Sequence, residues 1–159
     1  MRLTIAAIGR LKDAGERDLI ARYMKRMSSG RAVGLSPVDI EELAESRAGD
    51  ASARQEDEAA RLLNLTADCD FRIVLDERGR GMSSTEFARY LGARRDDGLK
   101  ATAILLGGPD GHAASLRSSA GLTLSLGPMT LPHGLARVVL VEQIYRAITI
   151  LSGHPYHRA

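Results

Sequence analysis

The stretch that decides the fold is Thr102-Ala103-Ile104-Leu105-Leu106-Gly107-Gly108-Pro109-Asp110-Gly111, an apolar run that stops at a glycine-rich segment. A short, continuous apolar run bounded by turn residues is typical of a strand that is buried on both faces, as strands of parallel sheets are. The stretch therefore predicts a central strand with a loop at its carboxyl end.

Further short apolar runs alternate with segments of helical spacing on both sides of this strand. The predicted strands are 3–8, 32–40, 71–76, 102–106 and 122–126. The predicted helices are 15–27, 113–119, a long closing helix and two helices with capping residues. Of these two, one is capped by Asp50 or Ser52 and runs to about Ala67, and the other is capped by Ser83, with Glu86 three residues later bonding back to the cap. Alternation of this kind predicts βαβ units, and hence an α/β fold with a mainly parallel sheet. Gly34 and Pro37 predict that the second strand lies at an edge of the sheet.

Length and composition predict one globular domain over residues 1–159. The chain is 44% hydrophobic and 26% charged, which is usual for a globular protein. One cysteine, Cys69, cannot form an internal disulfide. Charged residues interrupt the longest apolar stretch, 135–151, which predicts a core helix and no membrane span. We therefore expect a cytoplasmic protein.

The closing helix is apolar around most of its circumference. One apolar stripe contains Val138, Val141, Tyr145 and Ile148, and residues 140, 144, 147 and 151 form a second. A helix of this kind must be covered on two sides. Two interpretations remain open: a second copy of the protein covers one side, or the helix is buried within its own chain.

Three glycine-bearing segments follow predicted strands in the second half of the chain, at 77–81, 107–111 and 127–133. In a parallel sheet, ligands bind beyond the carboxyl ends of the strands. Glycine lets a ligand approach the main chain closely. The three segments therefore predict a pocket in which the backbone holds a ligand.

Several enzyme classes are disfavoured because their motifs are absent from the sequence. The chain has no Gly-x-x-x-x-Gly-Lys-Ser/Thr and no complete dinucleotide fingerprint. It also lacks a His-Glu-x-x-His or Cys-x-x-Cys metal motif and a Gly-x-Ser-x-Gly nucleophile motif, so no metal site is predicted. Backbone binding without a metal or a nucleophile favours group transfer from a cofactor whose reactivity is its own.

The ends of the chain carry features of a polyanion-binding surface. Residues 1–31 contain eight basic and three acidic residues, and the chain ends in Tyr156-His157-Arg158-Ala159. Arginine and histidine pair with phosphate, and tyrosine stacks on an unpaired base. The alternative is that Tyr156 packs on the core while His157 and Arg158 are solvated.

Four segments carry a resemblance to a known family. They are 104–111, Met129-Thr130-Leu131-Pro132-His133, the helix 137–147, and His154-Pro155-Tyr156-His157-Arg158. Together they resemble the RlmH type of ribosomal RNA large-subunit methyltransferase, and the likeness covers essentially the whole chain. Arg80 and Ala59 depart from the family pattern, but neither is one of the implied cofactor positions.

The resemblance implies a SPOUT fold, an α/β domain whose C-terminal part forms a trefoil knot. It implies a cytoplasmic homodimer that binds S-adenosylmethionine in the knot. It also implies methylation of N3 of a pseudouridine in 23S ribosomal RNA, within the assembled ribosome. A non-catalytic module that binds RNA or the ribosome is the alternative function.

Site residues follow from the same resemblance. The implied cofactor positions are Leu75, Gly108, Gly127, Pro128, Met129, Thr130, Leu131 and Pro132. The implied RNA-side catalytic residues are Tyr156, His157 and Arg158, which reach the other subunit's cofactor, with His133 near the same mouth. His157 is the candidate base for the N3 proton, Arg158 could instead stabilise the deprotonated ring, and Glu142 is expected to be structural.

Overall fold

Five parallel strands form the sheet in the computed structural model, which describes residues 1–157. Their order is β2-β1-β4-β3-β5. The strands are β1 (Arg2–Ile8), β2 (Val38–Leu43), β3 (Phe71–Gly81), β4 (Ala101–Leu106) and β5 (Leu122–Ser125). All six residues of β4 are buried and it lies in the middle of the sheet. The predicted parallel α/β sheet and its central strand are confirmed.

Residues 1–157 contain five α-helices, of which four connect strands and the fifth follows β5, and one 3₁₀ helix at Met27–Val33. They are α1 (Ala14–Arg26), α2 (Ala51–Leu65), α3 (Ser84–Asp96), α4 (Ala114–Ser119) and α5 (His133–Ser152). Asp50, rather than Ser52, caps α2 by accepting a hydrogen bond from the amide of Ala53 at 2.8 Å. Ser83 and Glu86 form the predicted reciprocal capping box of α3. Within residues 1–157, no helix is long and apolar enough to cross a membrane.

Alternate residues of each strand supply two separate cores, one on each face of the sheet. In β1, Leu3 and Ile5 join the core made with α1, α3 and α5, whereas Ala6 and Ile8 join the core made with α2 and α4. This alternation follows from the two-residue period of a strand. Both faces are therefore covered, as a parallel sheet requires.

The closing helix α5 lies mostly within its own chain. Leu140, Ile144 and Ile148 are fully buried, and α1 and α3 flank the helix on the sheet. Burial within the chain thus accounts for most of both predicted stripes. A stripe that is half-buried or exposed remains along α5, consisting of Leu135, Val138, Val139, Glu142, Gln143 and Arg146.

A buried arginine joins the beginning of α5 to the strand ends. The Arg137 side chain is 3% exposed, and its Nη2 donates a 2.9 Å hydrogen bond to the carbonyl of Gly9, just beyond β1. Its Nη1 forms an ion pair with Glu42 of β2. Burial lowers the pKa of Arg137, and the Glu42 carboxylate opposes that effect. The first turn of α5 is therefore fixed at the carboxyl edge of the sheet.

Two predicted boundaries were wrong. β2 begins at Val38 rather than at residue 32, because residues 27–33 form the 3₁₀ helix and Gly34 ends it with φ of 68°. The predicted turn at 77–81 is part of β3, which pairs with β5 through Leu75 and again through Arg80. The intervening register shift is a bulge, in which the amide of Arg78 donates to Asp76 Oδ1 at 3.0 Å.

The bulged part of β3 passes so close to β5 that only glycine fits at position 79. A Cβ on Gly79 would lie 2.6 Å from the carbonyl carbon of Leu124 and 2.7 Å from that of Thr123. Gly79→Ala should therefore lower the free energy of unfolding by about 1–3 kcal/mol, since backbone atoms of β5 must move.

Urea denaturation followed by circular dichroism measures this loss. Gly81→Ala is the matched control on the same strand, because a Cβ there meets nothing within 4 Å. The control should change the stability by less than about 0.5 kcal/mol. Equal effects of the two substitutions would contradict the close approach of β3 and β5.

Candidate active site

A cleft of about 460 Å³ opens at the carboxyl ends of β3, β4 and β5. The three predicted glycine-bearing segments meet there, as expected for a parallel sheet. They contribute Glu77 and Arg78; Gly107, Pro109, Asp110 and Gly111; and Gly127, Met129, Thr130, Leu131 and His133. The volume lies within the range of about 300–1,000 Å³ that is usual for small-molecule sites.

Five of the eight implied cofactor positions line this cleft. They are Leu75, Gly127, Met129, Thr130 and Leu131. Pro128 and Pro132 belong to the same segment but are not part of the lining. Gly108 is also outside the lining, since a Cβ built on it would point at Glu58 Oε2, 2.8 Å away, and its neighbour Gly107 faces the cleft instead.

Other lining residues were not among the implied positions. They are Gln55, Asp76, Leu106, Gly107, Pro109, Gly111, His112, Ala114, Arg117, Leu126, His133 and Ala136, besides the charged residues Glu77, Arg78 and Asp110 of the loops. Asp76 and Leu106 adjoin predicted strand ends, so the strand pattern itself points to them. Gln55 and Arg117 come from α2 and α4, and nothing in their local sequence indicates a site.

The segment 107–111 is held in place by α2. Arg54 binds both carboxylate oxygens of Asp110, at 2.6 and 3.1 Å, and Gln55 Nε2 donates to the Asp110 carbonyl at 2.5 Å. The hydrogen bond from Arg54 lowers the pKa of Asp110. Bidentate arginine–carboxylate pairs add geometric specificity. This pair therefore fixes the loop relative to the cleft.

The segment that follows β5 turns at Gly127, whose φ of 130° is a conformation that other residues rarely adopt. The hydroxyl of Ser125 accepts a hydrogen bond from the Gly127 amide at 3.1 Å. Leu126 and Leu131 add apolar surface on either side of the turn. This part of the cleft thus combines an exposed backbone with apolar side chains.

A histidine and a pair of opposite charges form the polar wall of the cleft. His112 is 4% exposed, and its Nε2 has no hydrogen-bond partner within residues 1–157. Burial is the main cause of its lowered pKa. Asp76 and Arg117 lie beside it, with Oδ2 and Nη1 3.6 Å apart. The wall is therefore a neutral imidazole next to one anion and one cation.

The C-terminal segment folds back on α5 of its own chain. The Tyr156 ring packs edge-on against Tyr145, with centroids 4.8 Å apart, and its hydroxyl donates to Glu142 Oε1 at 3.1 Å. Burial, the hydrogen bond with Tyr23 and the Glu142 carboxylate raise the pKa of Tyr156. Tyr156 thus packs on the core, as the alternative interpretation of the tail predicted. Arg158 lies outside the described residues.

His157 lies near Arg146, with 3.5 Å between its Nδ1 and the guanidinium Nη1. Glu142 forms an ion pair with Arg146, with 2.6 Å between Oε1 and Nη2. Its carboxylate therefore holds other side chains of the same chain in place, which is the structural role expected of it. Ala136, which lines the cleft, is ten residues before Arg146 on α5. Ten residues span about 15 Å of helix, which separates the tail of a chain from its own cleft.

Comparison with known proteins assigns the chain to a family. The family described as "Predicted SPOUT methyltransferase" matches residues 1–157. The chain belongs to the SPOUT methyltransferase family. Membership confirms the predicted enzyme class, a methyltransferase, and the predicted methyl donor, S-adenosylmethionine.

Curated relatives of this SPOUT methyltransferase match it over their full length. A protein named ribosomal RNA large subunit methyltransferase H from Rhizobium leguminosarum bv. trifolii is 51% identical over 159 residues, which covers 99% of each chain. A protein of the same name from Rhodopseudomonas palustris is 50% identical over 160 residues, which covers all of both chains. The stated resemblance to the RlmH type is therefore confirmed.

Solved structures share the fold at low sequence identity. A probable methylase family protein from Haemophilus influenzae matches with a TM-score of 0.55 and 14% identity, over 99% of this chain and 70% of that one. A probable methyltransferase from Bordetella pertussis matches with a TM-score of 0.52 and 15% identity, over 92% and 95%. These likenesses support the SPOUT architecture of the parallel sheet.

The buried imidazole of the cleft should make the stability of the protein sensitive to acid. His112 has a lower pKa when folded than its usual value of 6.5, because burial penalises the charged form. The unfolded chain therefore binds a proton first as the pH falls, and the free energy of unfolding should decrease below about pH 6.5. His112→Leu should reduce this decrease.

Denaturation in urea between pH 7.5 and 5 measures the effect. His154→Leu is the control, since His154 is exposed. The control should keep the acid-dependent loss of the wild type. An unchanged pH dependence in His112→Leu would contradict the buried, neutral state of His112.

Proposed function

We propose that the protein methylates N3 of a pseudouridine in 23S ribosomal RNA, in the assembled ribosome, with S-adenosylmethionine as the donor. The observation that carries this proposal is the cleft in which the bulged part of β3 and the loops after β4 and β5 converge at the carboxyl edge of the sheet. The relatives named ribosomal RNA large subunit methyltransferase H, about half identical over their full length, support the choice of RNA. The reaction would take place in the cytoplasm.

The residues of the cleft fit the donor. When bound, S-adenosylmethionine would supply a methyl group that passes in line from its sulfonium sulfur to a nucleophile, and the sulfur would leave as the thioether of S-adenosylhomocysteine. Leu75, Leu106 and Leu131 provide an apolar wall for the adenine ring, and Gly107 and Gly127 leave room for the backbone to approach the ligand. The apolar wall also excludes water, which keeps the donor from side reactions.

In this proposal, the C-terminal segment binds the acceptor base and removes its proton. A pseudouridine N3 carries a proton that must leave, and a positioned imidazole accelerates such a transfer by about 10²–10⁴-fold. His157 is the candidate base, because a neutral imidazole accepts a proton. Arg158 is the candidate cation that stabilises the deprotonated ring, and Tyr156 the candidate stacking platform. These roles require that the tail reach a cleft.

A second copy of the chain brings the tail and the cleft together in this proposal. Tyr156 and His157 contact Glu142 and Arg146, which are about 9 and 15 Å along α5 from Ala136 in the cleft, and neither residue lines the cleft of its own chain. The partly exposed stripe of α5 carries Leu135, which is 44% exposed, with Val138 and Val139 beside it. We propose that this stripe packs against its counterpart in a homodimer, so that each active site uses both chains.

The proposed fold includes the trefoil knot that the family resemblance implies. β5 lies beyond β3 at the edge of the sheet, and the chain then returns as α5 to the face covered by α1 and α3. In the proposed knot, the chain that forms the return passes through the loop closed by the preceding segments. The cleft would then lie at the knot, between the turns that follow β3, β4 and β5.

Removal of the tail separates donor binding from methylation. A chain ending at Pro155 should bind S-adenosylmethionine within about twofold of the wild type, because neither Tyr156 nor His157, the described residues that are removed, lines the cleft. Its methylation of ribosomes from a strain lacking this activity should fall at least about 100-fold. Calorimetry measures the first quantity and transfer of a labelled methyl group measures the second. His157→Ala, which leaves Tyr156 in place, is the milder companion variant.

The outcomes of this experiment distinguish the functions. Loss of donor affinity on truncation would contradict the assigned role of the tail. Tight binding of ribosomal RNA by the intact chain, with no uptake of the donor, would instead support a non-catalytic RNA-binding module.

Mixing two inactive variants tests whether sites are shared between chains. Gly127→Val should lose donor binding because its φ of 130° strains a branched residue. Mixed with the truncated chain, it should restore about a quarter of the wild-type activity, since half of the dimers are mixed and one of their two sites is intact. No recovery in a sample that contains mixed dimers would contradict a shared site.

The stripe on α5 predicts the dimer interface. Leu135→Asp should raise the dimer dissociation constant by at least about tenfold, because a charge would be buried at the contact. Light scattering over a dilution series measures it. Leu63→Asp on α2 is the matched control, since Leu63 is 38% exposed on the opposite face of the molecule. A dimer that persists unchanged in Leu135→Asp would place the interface elsewhere.

A further inference from the structure

Two opposite charges lie side by side in the wall of the cleft. Asp76 follows β3 residue Leu75 and its side chain is 11% exposed; Arg117 comes from α4 and its side chain is 26% exposed. Their closest atoms, Oδ2 and Nη1, are 3.6 Å apart. This distance makes the two groups an ion pair but is too long for a hydrogen bond, so the hydrogen-bonding capacity of Oδ2 is not used by Arg117.

Each of these groups is oriented by the backbone and keeps unused bonding capacity. Asp76 Oδ1 accepts from the amide of Arg78 at 3.0 Å, which leaves Oδ2 for another donor. Arg117 donates through Nη1 to the carbonyl of His112. Within the part of the chain that the structure describes, its Nε and Nη2 donate to no acceptor. A carboxylate oxygen and two guanidinium donors thus remain available in the cleft.

The other charged side chains of the cleft are less suited to hold a ligand. Asp110 is already bound at both oxygens by Arg54. Glu77 and Arg78 are exposed to solvent, where a charge contributes little because water screens it. Asp76 and Arg117 are therefore the pair whose burial makes an ionic contact strong.

The proposed donor presents the matching charges. Its methionine end carries an α-ammonium and an α-carboxylate on the same carbon, and both need partners when they leave water. We infer that Asp76 binds the α-ammonium and Arg117 the α-carboxylate of the donor. This inference rests on the proposed function and adds two residues that orient the donor in the cleft.

The surroundings of the pair suit this assignment. His112, whose carbonyl orients Arg117, is buried, so its imidazole stays neutral and places no further cation beside the ammonium. Fixing the amino-acid end restricts rotation of the flexible donor, which is how binding groups distant from the reacting atom promote a displacement. Asp76 and Arg117 are accordingly positioning residues and take no part in the methyl transfer itself.

A ligand series isolates the contribution of the amino-acid end. S-adenosylhomocysteine carries both α-groups, whereas 5′-methylthioadenosine has the same adenosine and thioether without them. Arg117→Gln and Asp76→Asn should each weaken S-adenosylhomocysteine binding by about tenfold or more, as expected for a lost bond to a charged group. Binding of 5′-methylthioadenosine should change by less than about twofold. Isothermal calorimetry on the full chain measures both.

Decarboxylated S-adenosylmethionine separates the two residues, because it keeps the ammonium and lacks the carboxylate. Asp76→Asn should weaken it by the same factor as S-adenosylhomocysteine, and Arg117→Gln should leave it within about twofold. Arg54→Gln is the matched control: it loosens the loop 107–111 without contacting the ligand, and should weaken all three ligands alike.

Each remaining outcome decides against the inference. If the two variants weaken 5′-methylthioadenosine as much as S-adenosylhomocysteine, including through loss of folding, the pair is structural and the inference is wrong. If neither variant changes any affinity, it is also wrong. If the wild-type chain binds none of the ligands, the proposed function fails together with the inference.

Discussion

The structure depends on a guanidinium that is buried where strands end. The carbonyl groups just beyond β1 leave the sheet without strand partners, and a buried carbonyl needs a donor. Arg137 supplies one to Gly9 and pairs with Glu42 at the end of β2. Because Arg137 lies in the first turns of α5, the same contact fixes where this helix begins. His133 and Ala136, which line the cleft, are positioned by it.

The parallel sheet then determines what the cleft contains. The strands are parallel, so the bulged part of β3 and the loops after β4 and β5 are neighbours although they are far apart in sequence. The helices that cover the opposite face add the remaining parts. The N-terminal half of α2 supplies Gln55 and the clamp from Arg54, and α4 supplies Arg117. The cleft therefore combines groups from the sheet with groups from the helices α2 and α4 on one of its faces.

The sequence predicts those features whose cause is local. The apolar run at 102–106 and the Ser83–Glu86 box carry their own signals, and both are found where expected. Gly79 suggested a turn, but its cause is the close passage of β5, which local sequence does not encode. Local sequence also does not distinguish Gly107 from Gly108, and only the fold shows that Gly107 lines the cleft whereas Gly108 does not. Arg117 is a surface-type residue in a short helix until the fold places it beside Asp76.

The rigid length of α5 has a consequence for how the reaction is organised. The helix starts at the cleft and ends beside the tail, and hydrogen-bonded helix does not shorten to bring its ends together. Tyr156 is held beside the middle of α5 by Tyr145 and Glu142, and Glu142 is about 9 Å along the helix from Ala136 in the cleft. In the proposed reaction the donor binds at the strand ends of one chain. The proposed recognition of the acceptor by Tyr156 and His157 then requires the cleft of a second chain.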